Sequence, residues 1–420
     1  MRLRCGDCGH EKLVAFSCKK RGFCSSCGAR RMAETAAHWV DHLIPRVPVR
    51  QWVLSFPIPL RVLFAAHPEL LTPVLQVVHR IIATFLIKQS GLKRTETATG
   101  AVTLIQRFGS AANLNIHLHG LVLDGVYRTT GGEPEFYPVG APTIEQLQAL
   151  LLQLVQRLMR LLTRLGYLVE EEGMRYLANP KADPALGPLH AASCTYRIAL
   201  GPRAGQKVVR LPTATALPAP RGTTTPRCVE LEGFSLHAET RCAINQRHKL
   251  EQLCRYITRP AIANERLSVN ETGQIVLKLK TPYRDGTTQI VMEPLEFMQR
   301  LAALVPRPRL HLIRFHGVLA PNAKLRSAIV PSPATDTTAG TPDSTDLPQP
   351  TPPAHLSWAR LLKRLFGIDL EHCPNCGGAL SIIAAILEQA VITNILNHLG
   401  LPIRAPPRAP ARRSDLFQAA

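Results

Sequence analysis

The run Asn115-Ile116-His117-Leu118-His119-Gly120-Leu121-Val122-Leu123 constrains the fold of this 420-residue chain more than any other stretch. In an extended strand side chains alternate between faces, so His117 and His119 point the same way while Ile116, Leu118 and Leu121 anchor the backbone. Two imidazoles on one rigid strand can grip one metal ion and leave coordination positions open for a substrate. The plainer alternative is a pair of histidines on a solvated strand face. What else the chain carries decides between them.

The length allows two or three domains, and 45% hydrophobic residues can bury a sizeable core. Fifty Lys and Arg against thirty Asp and Glu give a net charge of +20. Such an excess points first to a polyanion, because each neutralised phosphate releases counterions. Nucleic acid is therefore the leading partner, ahead of a merely solvated basic surface. A membrane is not expected: no run of about 18 uncharged apolar residues occurs, and the N-terminus lacks a secretory apolar segment. The chain reads as cytoplasmic.

Residues 1–31 are rich in Cys, Gly, Lys and Arg without the periodicity of a core, so they need a staple. The pattern predicts helices over 32–41, 73–88, 144–165 and 293–304, with a further helix carrying Leu250, Leu253, Tyr256 and Ile257 that Pro260 stops. Strands are expected at 51–56, 101–106 and 115–122, and a hairpin at 274–280 and 288–292 around Asp285-Gly286. Residues 214–227 read as a loop. Residues 331–355, mostly Pro, Thr, Ser and Asp, read as a linker, 356–402 as a small helical module with a Cys-x-x-Cys turn, and 403–420 as a basic Pro/Arg tail. The fold class is α+β: an antiparallel sheet presents the histidines, helices pack on it, and a small zinc module precedes it.

Cys5, Cys8, Cys24 and Cys27 form C-x2-C-x15-C-x2-C, a spacing suited to a closed four-thiolate zinc site with a structural role. Cys18 and His10 are alternative ligands within the same stretch. Cys373 and Cys376 look like half of another knuckle, whose missing ligands would be His372, His355 or a second chain; an unmetallated turn is the alternative.

Tyr256 stands at a helix end, flanked by Arg255 and Arg259, which can hold phosphates; on composition alone it reads as a packing residue. Gln252, one helical turn earlier, and Gln106, on the neighbouring strand, are the candidates for a third metal ligand, phosphate contact being the other role open to each. Asp124 is the best carboxylate near the strand end, with a turn role beside Gly125 as its alternative. Arg314 and His316, in a basic segment with Arg307, Arg309 and His311, are candidate contacts to a DNA backbone.

His117-Leu118-His119 downstream of Ile105-Gln106-Arg107-Phe108-Gly109, with Leu253-Cys254-Arg255-Tyr256 far beyond, resembles the rolling-circle insertion-sequence transposases of the histidine-hydrophobe-histidine (HUH) nuclease superfamily. Gly22-Phe23-Cys24-Ser25-Ser26-Cys27-Gly28, Arg284-Asp285-Gly286-Thr287-Thr288, Arg314-Phe315-His316-Gly317 and the C-terminal Cys-Pro-x-Cys-Gly-Gly module agree with it. The resemblance makes residues 32–330 the HUH-type nuclease domain. It implies a transposase that nicks and rejoins single-stranded DNA at element ends. Tyr256 would keep the 5′ end as a phosphotyrosine, Mg2+ or Mn2+ on His117 and His119 would activate the phosphate, and Zn2+ would be structural.

Gln252 stands where founding members of that family carry a second tyrosine, so the resemblance is to the single-tyrosine branch, and two protomers or a free 3′ hydroxyl serve in place of alternating tyrosines. Family members usually place a helical segment before the zinc motif, on which this chain opens almost directly; an N-terminally truncated copy is the expectation. The localisation implied is the bacterial cytoplasm, with the nucleoid. The rivals are a non-catalytic zinc-dependent DNA-binding protein, a hydrolytic metallonuclease and an inactive transposase remnant.

Overall fold

The computed structural model describes residues 2–13, 25–171, 174–178, 186–212, 227–283, 285–307, 309–331, 357–384, 386 and 388–398. They divide into two compact units, one of residues 39–257 and 266–333, the other of 1–38, 258–265 and 334–420.

The larger unit is built on a seven-stranded sheet. Its strands run in the order Cys228–Leu231, Phe234–His237, Val49–Ser55, Leu114–Leu123, Gly100–Phe108, Ile313–Gly317, with Arg241–Cys242 also pairing with Val49–Ser55. Every pairing is antiparallel. The histidine strand, Leu114–Leu123, lies in the middle and is largely buried, as is its neighbour Gly100–Phe108. Cover on both faces explains why their apolar residues run nearly without interruption rather than alternating.

The helix Leu71–Ser90 covers one face. It buries Val74, Leu75, Val78, Ile81, Ile82, Phe85 and Leu86 at helical spacing and ends on Gly91 in the left-handed conformation. Leu75, Val78, His79 and Ile82 line one small cavity with Trp52, Leu54, Leu118 and Val122 of the sheet. The stretch Pro68–Ser90 is long and apolar enough by composition to cross a membrane, yet half of it is buried against its own domain.

The long helix Ile144–Arg164 starts at a capping box: the Thr143 hydroxyl accepts from the Gln146 N–H, and the Gln146 side chain accepts from the Thr143 N–H. Leu147, Leu150, Leu151, Leu154 and Leu158 are buried, as their spacing predicts. The expected hairpin forms from Ile275–Lys278 and Thr287–Met292, and Val209–Pro212 and Leu267–Val269 extend it to four strands.

The sheet edge depends on one glycine. Gly317 has φ +59°, and a Cβ there would meet the Thr99 carbonyl oxygen at 1.8 Å. Only a residue without a side chain lets the chain turn so that the Val318 N–H donates to that carbonyl at 2.9 Å.

In the smaller unit Arg2–Cys5 is the middle strand of three, between Glu11–Leu13 and Leu380–Ala384. Leu3, Leu362 and Leu370 make a core of a few residues, with Ala359 and Leu380 against it. The helix Ser25–His42 begins earlier than its periodicity suggests, and the sequence pattern gave no sign of the strand Leu380–Ala384. The expected loop at 214–227 and linker at 331–355 fall almost wholly outside the described residues, and the tail at 403–420 entirely so.

Candidate active site on the histidine face

Residues directly opposite one another in an antiparallel pair share a face. Ser55 and Gln106 stand opposite His117, while Val53 and Leu104 stand opposite His119. The two imidazoles therefore share their face with Gln51 and Gln106, the face opposite to the one that Leu71–Ser90 covers. Their ring centroids are 4.8 Å apart at 65°.

Each ring is oriented through Nδ1. His117 Nδ1 lies 3.0 Å from the Asn115 carbonyl oxygen, which fixes it as the N–H donor. His119 is buried, and its Nδ1 lies 2.9 Å from the buried Gln51 side-chain amide nitrogen. A metal on this pair would thus use Nε2 of each ring, the arrangement in which an outer hydrogen bond sets the tautomer. For His119 that requires the Gln51 amide to present its oxygen. The donor set fits an ion with open positions: two imidazoles and, among the described residues, no third His, Cys, Asp or Glu in the same group.

Tyr256 lies on the helix Arg247–Thr258, whose Leu250, Leu253, Cys254 and Ile257 are buried. Its ring is 6.4 Å from that of His119, at 89°. Besides its buried side chains and the bonds from Arg247 to the Ile44 and Pro45 carbonyls, the helix is tied to the sheet by Gln106, whose buried amide nitrogen donates to the Ile257 carbonyl at 2.9 Å. This bond uses the amide nitrogen of Gln106 and gives the residue a tethering task. Gln252 stands half-buried one turn before Tyr256, Arg255 is half-buried beside it, and Arg259 follows the helix end. The Lys280 ammonium sits 4.8 Å from the centroid of the Tyr256 ring.

Sequence reasoning missed Gln51 and Lys280. For Gln51 a signal existed: a neutral amide in the largely apolar strand Val49–Ser55, two residues from Val53 and so on the same face. For Lys280 there was none.

Arg314 and His316 do not join this site. They stand opposite Thr103 and Ala101, on the other face of the sheet from His117 and His119. His316 stacks on His79 of the covering helix, with centroids 4.6 Å apart and planes at 19°. Asp124 serves the fold instead. It is buried, accepts from Arg50 Nε at 2.8 Å and Nη2 at 3.0 Å, and accepts from Arg241 Nε at 2.7 Å.

The cysteines are arranged differently from the expected quartet. Cys5 and Cys8 lie together with Cys373 and Cys376, all four sulfurs within 4.8 Å of one another. Cys24 and Cys18 lie outside the described residues, as does the Cys27 side chain. Among the described residues, Cys5 and Cys8 thus stand where the missing half of the C-terminal knuckle was sought, while His355 lies outside them. Burial pushes the Cys373 thiol up, but the backbone N–H groups of Asn375 and Cys376 together with the Cys8 and Cys376 thiols bring it down to about 7, while Cys376 is pushed up. Four thiols so placed fit a closed, structural zinc site.

A family model described as "Putative transposase" matches residues 100–326, more than half of the chain and a span that contains His117, His119 and Tyr256. A second, described as "Transposase zinc-binding domain" and of the IS91 type, matches residues 1–56. The chain matches no curated protein and no solved structure.

Proposed function

The chain belongs to this transposase family, and from that premise we propose that it nicks and rejoins single-stranded DNA at the ends of a mobile element, with Tyr256 as nucleophile. The observation that carries the proposal is the Tyr256 ring 6.4 Å from His119, on a helix tethered to the strand beside the histidines.

The Tyr256 oxygen attacks the scissile phosphorus and gives up its proton. The bond from phosphorus to the 3′ oxygen breaks, that oxygen takes a proton, and the 5′ phosphate stays on the tyrosine. Bond energy is kept for rejoining, when a freed 3′ hydroxyl attacks the phosphotyrosine and restores the phenol. Lys280 supplies positive charge beside the tyrosine where the phosphate must approach, and Arg255 adds to it. When bound to His117 and His119, Mg2+ or Mn2+ would draw charge from the phosphoryl oxygens. Gln51 fixes the His119 ring for that task.

A single tyrosine on the helix makes one covalent link per chain, so the second transfer falls to the freed 3′ hydroxyl or to Tyr256 of a second copy. The +20 charge supports a nucleic-acid substrate, and the working place would be the bacterial nucleoid.

The test is incubation of the full chain with single-stranded DNA carrying an element end and Mn2+, followed by denaturing electrophoresis. A protein–DNA adduct is expected, and Tyr256→Phe removes it. Cleavage that survives Tyr256→Phe would identify a hydrolytic metallonuclease, and binding without cleavage a regulator or remnant.

A further inference from the structure

The four cysteines come from two halves of one device, separated by more than 360 residues. Cys5 Sγ is 3.5 Å from Cys376 Sγ, and Cys8 Sγ is 3.5 Å from Cys373 Sγ. A disulfide requires about 2.05 Å, so these are separate thiols. Sulfurs bound tetrahedrally at about 2.3 Å from zinc stand about 3.8 Å apart, close to the spacing seen here.

The two knuckles repeat each other bond for bond. The Cys5 N–H donates to the His10 carbonyl at 2.8 Å, and the Gly9 N–H to the Cys5 carbonyl at 3.2 Å. The Cys373 N–H donates to the Gly378 carbonyl at 2.8 Å, and the Gly377 N–H to the Cys373 carbonyl at 2.9 Å. Gly9 and Gly377 occupy the same place in the two turns, with φ of +71° and +76°. The strands attached to the knuckles pair with each other, Cys5 opposite Leu380. At Gly378 a Cβ would lie 3.2 Å from Cys5 Sγ and against the exposed Asp7 carboxylate, so the second knuckle packs closely on the first.

We infer that Cys5, Cys8, Cys373 and Cys376 together bind one zinc ion, so that the N-terminal zinc-binding domain draws half of its ligands from the C-terminal module. Among the described residues the core of this unit is a handful of leucines and alanines, too small to hold two distant segments together without a staple. The C-terminal module is then the second half of a zinc ribbon rather than an independent domain, and residues 1–31 do not close the site alone.

The experiment measures zinc per chain and the thiolate-to-metal absorption of the Co2+-substituted full-length protein. Cys5→Ser/Cys8→Ser and Cys373→Ser/Cys376→Ser should each lose one equivalent, and the quadruple variant should lose no more than either pair. Cys24→Ser/Cys27→Ser should keep that equivalent. The inference is overturned if the Cys373/Cys376 variant keeps full zinc, if the two losses add, or if the Cys24/Cys27 variant loses the same ion. Should the variants not fold, alkylation of the unmutated protein decides the matter. Cys5, Cys8, Cys373 and Cys376 should become reactive together as a chelator removes one zinc; labelling of Cys373 and Cys376 before any zinc leaves would overturn the inference.

Discussion

Two pairs of histidines lie on opposite faces of one sheet at nearly equal ring separations, 4.8 Å for His117 and His119 and 4.6 Å for His79 and His316. The likeness ends there. His117 and His119 follow each other on a single strand, their planes at 65°, with Nδ1 of each ring engaged by the Asn115 carbonyl or the Gln51 amide. His79 and His316 meet from a helix and an edge strand and stack at 19°. Imidazole lone pairs lie in the ring plane, so rings stacked nearly parallel cannot turn both toward one ion. Burial, followed by the neighbouring His316, holds His79 down to about 4, and burial with Arg314 lowers His316. Proximity alone does not make a metal site; ring orientation and outer hydrogen bonds do.

Activity should separate the two faces of the sheet most strongly. Replacing His117 and His119 with alanine should lower adduct formation by about 10³-fold or more, roughly 4 kcal/mol of barrier. His316→Phe, which keeps a stacked ring on the other face, should stay within a few-fold of the unmodified protein. Equal losses from both faces would end the distinction.

Stability gives the next effect. Asp124→Ala leaves the buried Arg50 guanidinium without its carboxylate and should cost about 3 kcal/mol, read as a lowered urea midpoint. Mn2+ binding by the folded variant should be unchanged, since this carboxylate serves the sheet and not the histidines.

A pH titration follows. The His79 value lies below its ordinary 6.5, so between about 4 and 6.5 the unfolded chain binds more protons than the folded one. Stability is therefore full above 6.5 and falls as pH drops toward 4, by on the order of 3 kcal/mol. His79→Phe should flatten that slope in denaturant titrations. Lys280→Met should have the smallest effect, slowing nicking by about 3- to 10-fold through the lost charge beside Tyr256.

Long periodic segments were legible in the sequence. The helix Ile144–Arg164, the strands around His117 and His119, and the helix bearing Tyr256 follow from apolar spacing, which local geometry dictates. Parity also placed His117 and His119 together, because the strand period of two acts within one strand. It says nothing about which face a distant strand shares, so the place of Arg314 and His316 on the face opposite His117 and His119 could not be read from it. Cysteine spacing likewise marks a knuckle but not its partner. Cys5 and Cys8 find Cys373 and Cys376 through the pairing of Arg2–Cys5 with Leu380–Ala384, a long-range event invisible to a local pattern.

That pairing also sets a clock on biosynthesis. At about 5–20 residues per second, a ribosome takes roughly 20–75 s to deliver residue 380 after the first strand has emerged. Through that interval Arg2–Cys5 has an open edge on one side, the kind of surface that templates aggregation. Its neighbouring thiols wait exposed to oxidation for the same time. A product that stops short of residue 380 never closes this sheet, so completion of the smaller unit reports that translation has passed that point.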